Sequence, residues 1–217
     1  NPEGRILASN GDENGRSFYT LGVHIFDPAN PGYELVTMGI GGSSPLDHTR
    51  AGGEKFKYTD ESLERLFQAC NVELVTINIS QNLGDLSSEI SADDSSGLRD
   101  ALLDIVDRCA DAMIANGKAP YIRVLLHHKT GYSDPQMETK WRAMREAVLE
   151  FGGLTDAYSL FHRMGDTTAD LIDGVHLNYD GSLRAAEVEW NDAAIILAAL
   201  GGGSERSKQR LLKMGVI

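Results

Sequence analysis

The sequence predicts an α/β fold: one domain built on a central parallel sheet of about five strands, with helices on both faces as a three-layer α/β/α sandwich. Two observations carry that prediction. Short apolar segments alternate with longer segments whose apolar residues recur at helical spacing, the pattern of strands joined by crossover helices. The chain has 217 residues and is 41% hydrophobic, which suits a single globular core.

In chain order, strands are expected at RILA (5–8), YELVTM (33–38), VELVTINIS (72–80) and YIRVLL (121–126), with a fifth at TDAYSLF (155–161). The first clear helix is DESLERLFQAC (60–70), with Leu63, Leu66 and Phe67 on one face. SGLRDALLDIVDRCADAMIANG follows, with Leu98, Leu102, Ile105, Val106, Cys109 and Met113 on one face and Asn116-Gly117 as its stop. DPQMETKWRAMREAVLEFGG places Trp141, Met144 and Val148 inward and stops at Gly152. A last helix of about 181–200 carries Leu183, Trp190, Ala194 and Leu197. The domain therefore covers 1–200, and GGGS (201–204) links it to a basic tail helix ending at 217.

Composition excludes several function classes. A net charge of −12 and scattered basic residues argue against a nucleic-acid partner. No apolar run is long enough to span a bilayer, so the chain reads as soluble. It opens on Asn1-Pro2 rather than Met, which leaves both a processed, secreted protein and a piece of a longer chain open. Cys70 and Cys109 lack metal-ligand spacing and read as small hydrophobes.

In an open parallel sheet, reactive groups gather where the strands end, because the loops there share one crevice. The loops after the expected strands are ASNGDENGRS, GIGGSSPLDH and SQNLGDLSS, and the last loop contains DGVHLN. Asp173 and His176 in that last loop have two readings: an acid–imidazole pair, or a polar loop that caps the next helix. Asp47-His48 reads as a loop or a helix cap. His127-His128 follow a strand, where neighbouring side chains point to opposite faces, so a shared metal ion is disfavoured and one ring is left to touch substrate.

Taken together, these loops resemble the SGNH hydrolases, the GDSL-like esterase and lipase superfamily, from Arg5 to about Leu200. DGVHLN is similar to the family's Asp-x-x-His block, which makes Asp173 the acid and His176 the base. LVTINISQN resembles the third block, with Asn82 as the oxyanion asparagine and Ser80 where glycine is usual. LVTMGIGGSS resembles the second block, with Gly42 as the oxyanion glycine and Ser43 beside it as a substrate contact. The first block departs from Gly-Asp-Ser. Ser9, in Ser-Asn-Gly (9–11), retains a hydroxyl at a strand end and is the preferred nucleophile. In the rival placement, Glu13 of Gly-Asp-Glu-Asn (11–14) stands where the serine should be.

The resemblance implies flavodoxin-like SGNH topology and a serine esterase that needs neither metal nor cofactor. A serine hydroxyl needs a base beside it, here His176, and Asp173 would hold the imidazole in the correct tautomer. Backbone N–H groups of Ser9 and Gly42 with the Asn82 side-chain amide would bind the oxyanion. The implied substrate is an acyl ester, most plausibly an O-acetyl group on carbohydrate. The competing class is a non-catalytic carbohydrate-binding or adhesive module with Glu13 in the nucleophile's place. The sequence specifies neither the acyl length nor an oligomeric state.

Overall fold

The computed structural model describes residues 23–25, 35–37, 43–51, 59–87, 94–132, 134–153 and 155–189. Its main sheet has three parallel strands in the order β3 (Val75–Ile77), β4 (Ile122–Leu126), β5 (Thr155–Ser159). The crossovers are α2 (Ser96–Ala115) from β3 to β4 and α3 (Met137–Phe151) from β4 to β5, while α1 (Asp60–Cys70) precedes β3. The alternating pattern thus gives the expected parallel pairing.

β4 shows how the strand period separates two cores. Ile122, Val124 and Leu126 pack with the apolar faces of α1, α2 and α3. Leu125 points the other way, joining Tyr158, Leu160 and Met164, against which Leu177, Ala185 and Val188 pack. Leu160 and Met164 belong to a short helix, α4 (Leu160–Met164), and Ala185 and Val188 to a helix over 179–189, α5. All six apolar residues expected on one face of α2 are buried. Gly152 ends α3 at φ 72°, and Asn71 ends α1 at φ 49°.

The second expected strand pairs differently. β2 (Leu35–Thr37) runs antiparallel to β1 (Val23–Ile25), a strand the sequence pattern does not predict, in a separate two-stranded sheet. The intervening segment 26–34 has the length of a hairpin connection and is too short for a crossover helix. The predicted strand 5–8 and the segment 190–217, including Trp190, Ala194 and Leu197, lie outside the described residues. Leu183 is exposed rather than inward, since α5 starts at 179 and turns its buried side through Ala185 and Val188. TDAYSLF bends into α4 at Leu160, where the Ser159 hydroxyl accepts from the His162 N–H.

Charge fastens residues 43–51 to the helices. The Arg50 guanidinium reaches Asp104 at 2.9 Å, Asp107 at 2.7 Å and Asp111 at 2.8 Å, all on α2. Buried Arg108 pairs with Asp60 at 2.7 Å and donates to the His48 carbonyl. These ties hold the segment that follows Gly42 against the start of α1 and the middle of α2. Among the described residues, no helix is long and apolar enough to cross a membrane.

Candidate functional site

The loops at the carboxyl ends of β3 and β4 meet two other segments of the chain. Ser80 is fully buried, and its hydroxyl accepts from the His127 N–H at 3.1 Å while donating to the Leu125 carbonyl at 3.3 Å. The Ser80 hydroxyl thus bridges two neighbouring strand ends. Gly84 (φ 57°) lies so close to Ser44 that a Cβ there would sit 2.8 Å from the Ser44 Cβ. Gln81 reaches the Val175 carbonyl at 3.4 Å. Segments 43–44, 80–84, 127–131 and 173–176 therefore converge.

Within 173–176, Asp173 and His176 are directly bonded. The Asp173 carboxylate accepts from the Val175 N–H at 3.0 Å, the His176 N–H at 2.8 Å and the His176 Nδ1 at 2.8 Å. Those bonds, led by the His176 backbone N–H, hold the Asp173 carboxyl well below the usual carboxylate range. An ionised carboxylate only accepts, so Nδ1 carries the proton and Nε2 of the neutral ring carries the lone pair. The ring is 72% exposed. Glycine suits the position between Asp173 and Val175, since Gly174 adopts φ 83° and a Cβ there would lie 3.2 Å from the Tyr132 ring. The capping reading of the loop holds as well, because Asn178 Oδ1 accepts from the Gly181 N–H at 2.8 Å at the start of α5.

Other residues singled out in the sequence are placed as follows. Asn82 is exposed in the loop after β3, next to Gln81. Ser9, Glu13 and Gly42 lie outside the described residues. Ser43 is buried, with its hydroxyl 3.0 Å from His48 Nε2. The Asp47 carboxylate accepts from the Ser44 N–H at 2.7 Å and the Ser44 hydroxyl at 2.9 Å, which closes a single 3-10 turn, Pro45–His48. That is the capping role read from the sequence.

Of His127 and His128, one ring is expected from the sequence to touch substrate. Both rings are buried and bonded to protein groups. His127 Nδ1 donates to the His128 carbonyl at 2.7 Å, and its Nε2 faces the Lys140 ammonium at 3.4 Å. Lys140 is 3% exposed and donates to Asp134 at 2.7 Å. His128 Nε2 donates to the Val175 carbonyl at 2.8 Å. The two ring planes are nearly perpendicular, at 78°. Among the described residues, no group of three or more His, Cys, Asp or Glu side chains is disposed to hold a metal ion.

Lys140, Gln81 and Tyr132 are site residues that sequence reasoning misses. Lys140 carries a signal: it lies four residues before Met144 on the buried stripe of α3, where a charged residue needs a partner. Tyr132 also lines a cleft of about 220 Å³ with Lys129, Thr130, Asp134, Met137 and Phe161. A larger cleft of about 260 Å³ lies at the ends of α1 and α2 and shares none of these residues.

Burial pushes the His127 imidazole down to about 4 from its ordinary 6.5. Between those values the unfolded chain binds a proton that the folded chain refuses, so stability falls as pH drops from about 6.5 to about 4. The loss expected from this residue is on the order of 3 kcal/mol at the acid end. Urea midpoints at pH 7 and pH 4.5 measure it, and His127→Gln should show a smaller difference between them. Equal differences would refute the assignment.

A second serine–histidine contact sits at the end of β5, where Ser159 Oγ lies 2.6 Å from His162 Nδ1. Ser159 is buried and caps α4 through the His162 N–H, so this contact is a local cap. No protein-family model, curated protein or solved structure matches the chain.

Proposed function

We propose that the chain is a serine esterase with an SGNH-like arrangement, in which the parallel strands β3, β4 and β5 form the centre of a three-layer α/β/α sandwich. One observation carries the reading: an exposed imidazole, oriented through Nδ1 by an ionised carboxylate, stands where the loops after two parallel strands meet the segment that begins at Ser43. In this reading Ser9 is the nucleophile, His176 the general base and Asp173 its orienter. Backbone N–H groups of Ser9 and Gly42 and the Asn82 amide bind the oxyanion. Attack by the Ser9 oxygen on the ester carbonyl forms the acyl-enzyme as the proton passes to His176 Nε2 and on to the departing alcohol. Water then hydrolyses the acyl-enzyme by the same base.

The substrate proposed is an acyl ester, with O-acetyl groups on carbohydrate foremost. An exposed imidazole suits a small acyl group presented on a large, external alcohol. The test is hydrolysis of a short aryl acetate and of an acetylated oligosaccharide by the folded protein. Turnover of both supports the reading. No turnover above buffer, together with binding of the oligosaccharide, favours a carbohydrate-binding module with Glu13 in place of the serine.

A further inference from the structure

Two of the three peptide units in the Asp173–His176 turn are held at both ends. In the unit joining Gly174 to Val175, the carbonyl accepts from the Gly131 N–H at 2.8 Å and the N–H donates to Asp173 Oδ1 at 3.0 Å. In the unit joining Val175 to His176, the carbonyl accepts from His128 Nε2 at 2.8 Å and the N–H donates to the same Asp173 oxygen at 2.8 Å. A carbonyl only accepts, so His128 carries a hydrogen on Nε2. The His128 ring is 7% exposed and lies at the end of β4, which is central in the described parallel sheet. It is therefore the rigid strand end, and not the exposed turn alone, that sets the plane of the peptide from which the His176 side chain springs.

We infer that His128 is a positioning residue for His176: by donating to the Val175 carbonyl it fixes the peptide that presents the His176 imidazole to Asp173. The inference rests on the esterase reading for its effect on rate, but not for its effect on the ring. Without the Nε2 donor, the Val175–His176 peptide keeps only its N–H bond to Asp173 and the longer contact from Gln81, and is less restrained against rotation about its two flanking bonds. Rotation takes the His176 N–H from Asp173 Oδ1 and the Nδ1 hydrogen from Oδ2. Gln81 reaches the same carbonyl at 3.4 Å from an exposed position, a longer contact that does not substitute for the buried donor. The neighbouring ring of His127, clamped by the His128 carbonyl and Lys140, holds the backbone from which His128 projects.

The experiment compares wild type with His128→Phe, which retains a ring without a donor, and His128→Gln, whose amide nitrogen reaches about as far as Nε2. Nitrogen-15 NMR of the His176 ring reports its tautomer. Wild type and His128→Gln are expected to show the Nδ1–H form alone, and His128→Phe a mixture of both tautomers. On a short aryl acetate, His128→Phe should lower kcat by about 10- to 100-fold at unchanged KM, the scale of a misplaced catalytic group, and His128→Gln should recover most of it. If His128→Phe does not fold by circular dichroism, His128→Leu takes its place. A single Nδ1–H tautomer in the variant lacking the donor overturns the inference, as does an equal loss in His128→Gln. If wild type hydrolyses no ester, the esterase reading fails by itself and the tautomer comparison still decides this one.

Discussion

Replacing His176 with alanine is expected to lower kcat/KM for a short aryl acetate by about 10⁴-fold or more, the scale seen when the base of a serine hydrolase is removed. The size follows from the role. Without the imidazole, the serine hydroxyl has no acceptor for its proton, and the alkoxide of the departing alcohol has no donor. The ring is exposed and its known bond is to Asp173, so the loss should come with little change in stability. Steady-state rates and a urea midpoint for the variant check both halves. The acid limb of the pH–rate profile is not expected to come from Asp173, because its three donors keep it ionised well below the usual range. A variant that retains its rate would move the chemistry to Ser43, whose hydroxyl lies 3.0 Å from His48 Nε2.

The largest expected change in stability comes from Arg123→Ala. Arg123 is 1% exposed in the middle of β4, and its register partner on β5 is Asp156. Its Nη2 lies 3.0 Å from Asp156 Oδ2 and its Nε 3.1 Å from Oδ1, a bidentate pair, and its guanidinium stacks 4.7 Å over the Tyr158 ring. Removing one partner of a fully buried pair costs on the order of 3–5 kcal/mol, and because the Asp156 side chain is one-third exposed the expected loss lies at or below the bottom of that range. Urea unfolding measures the loss. A double variant, Arg123→Met with Asp156→Leu, should regain much of it by replacing the pair with packed apolar surface. A loss below about 1 kcal/mol in the single variant would show that water reaches Asp156 well enough to replace the guanidinium.

The helices were legible because α1 to α3 carry amphipathic repeats, and the stops of α2 and α3 at Asn116-Gly117 and Gly152 are local signals. Parallel pairing of β3, β4 and β5 was legible from the crossover spacing. The antiparallel partner of β2 was not, since three residues at 23–25 leave no period to read. Within the site, the Asp173–His176 bond was legible because both groups and the glycine that closes the turn lie within four consecutive residues. The role of His128 was not. Its acceptor is a backbone carbonyl 47 positions away, and every residue type has one. The Lys140–Asp134 pair and the Arg123–Asp156 pair mark the same limit: each charged residue sits in an apolar stripe, which signals a need for a partner without naming it.

The claim that most needs measurement is the nucleophile. Fluorophosphonate labelling of the folded protein, read by intact mass and peptide mapping, tests it directly, because the reagent bonds only to a serine activated by a neighbouring base. One label on the peptide containing Ser9 is expected, lost in Ser9→Ala and His176→Ala and retained in Glu13→Gln. Labelling that survives Ser9→Ala, or folded protein that takes no label, would contradict the account.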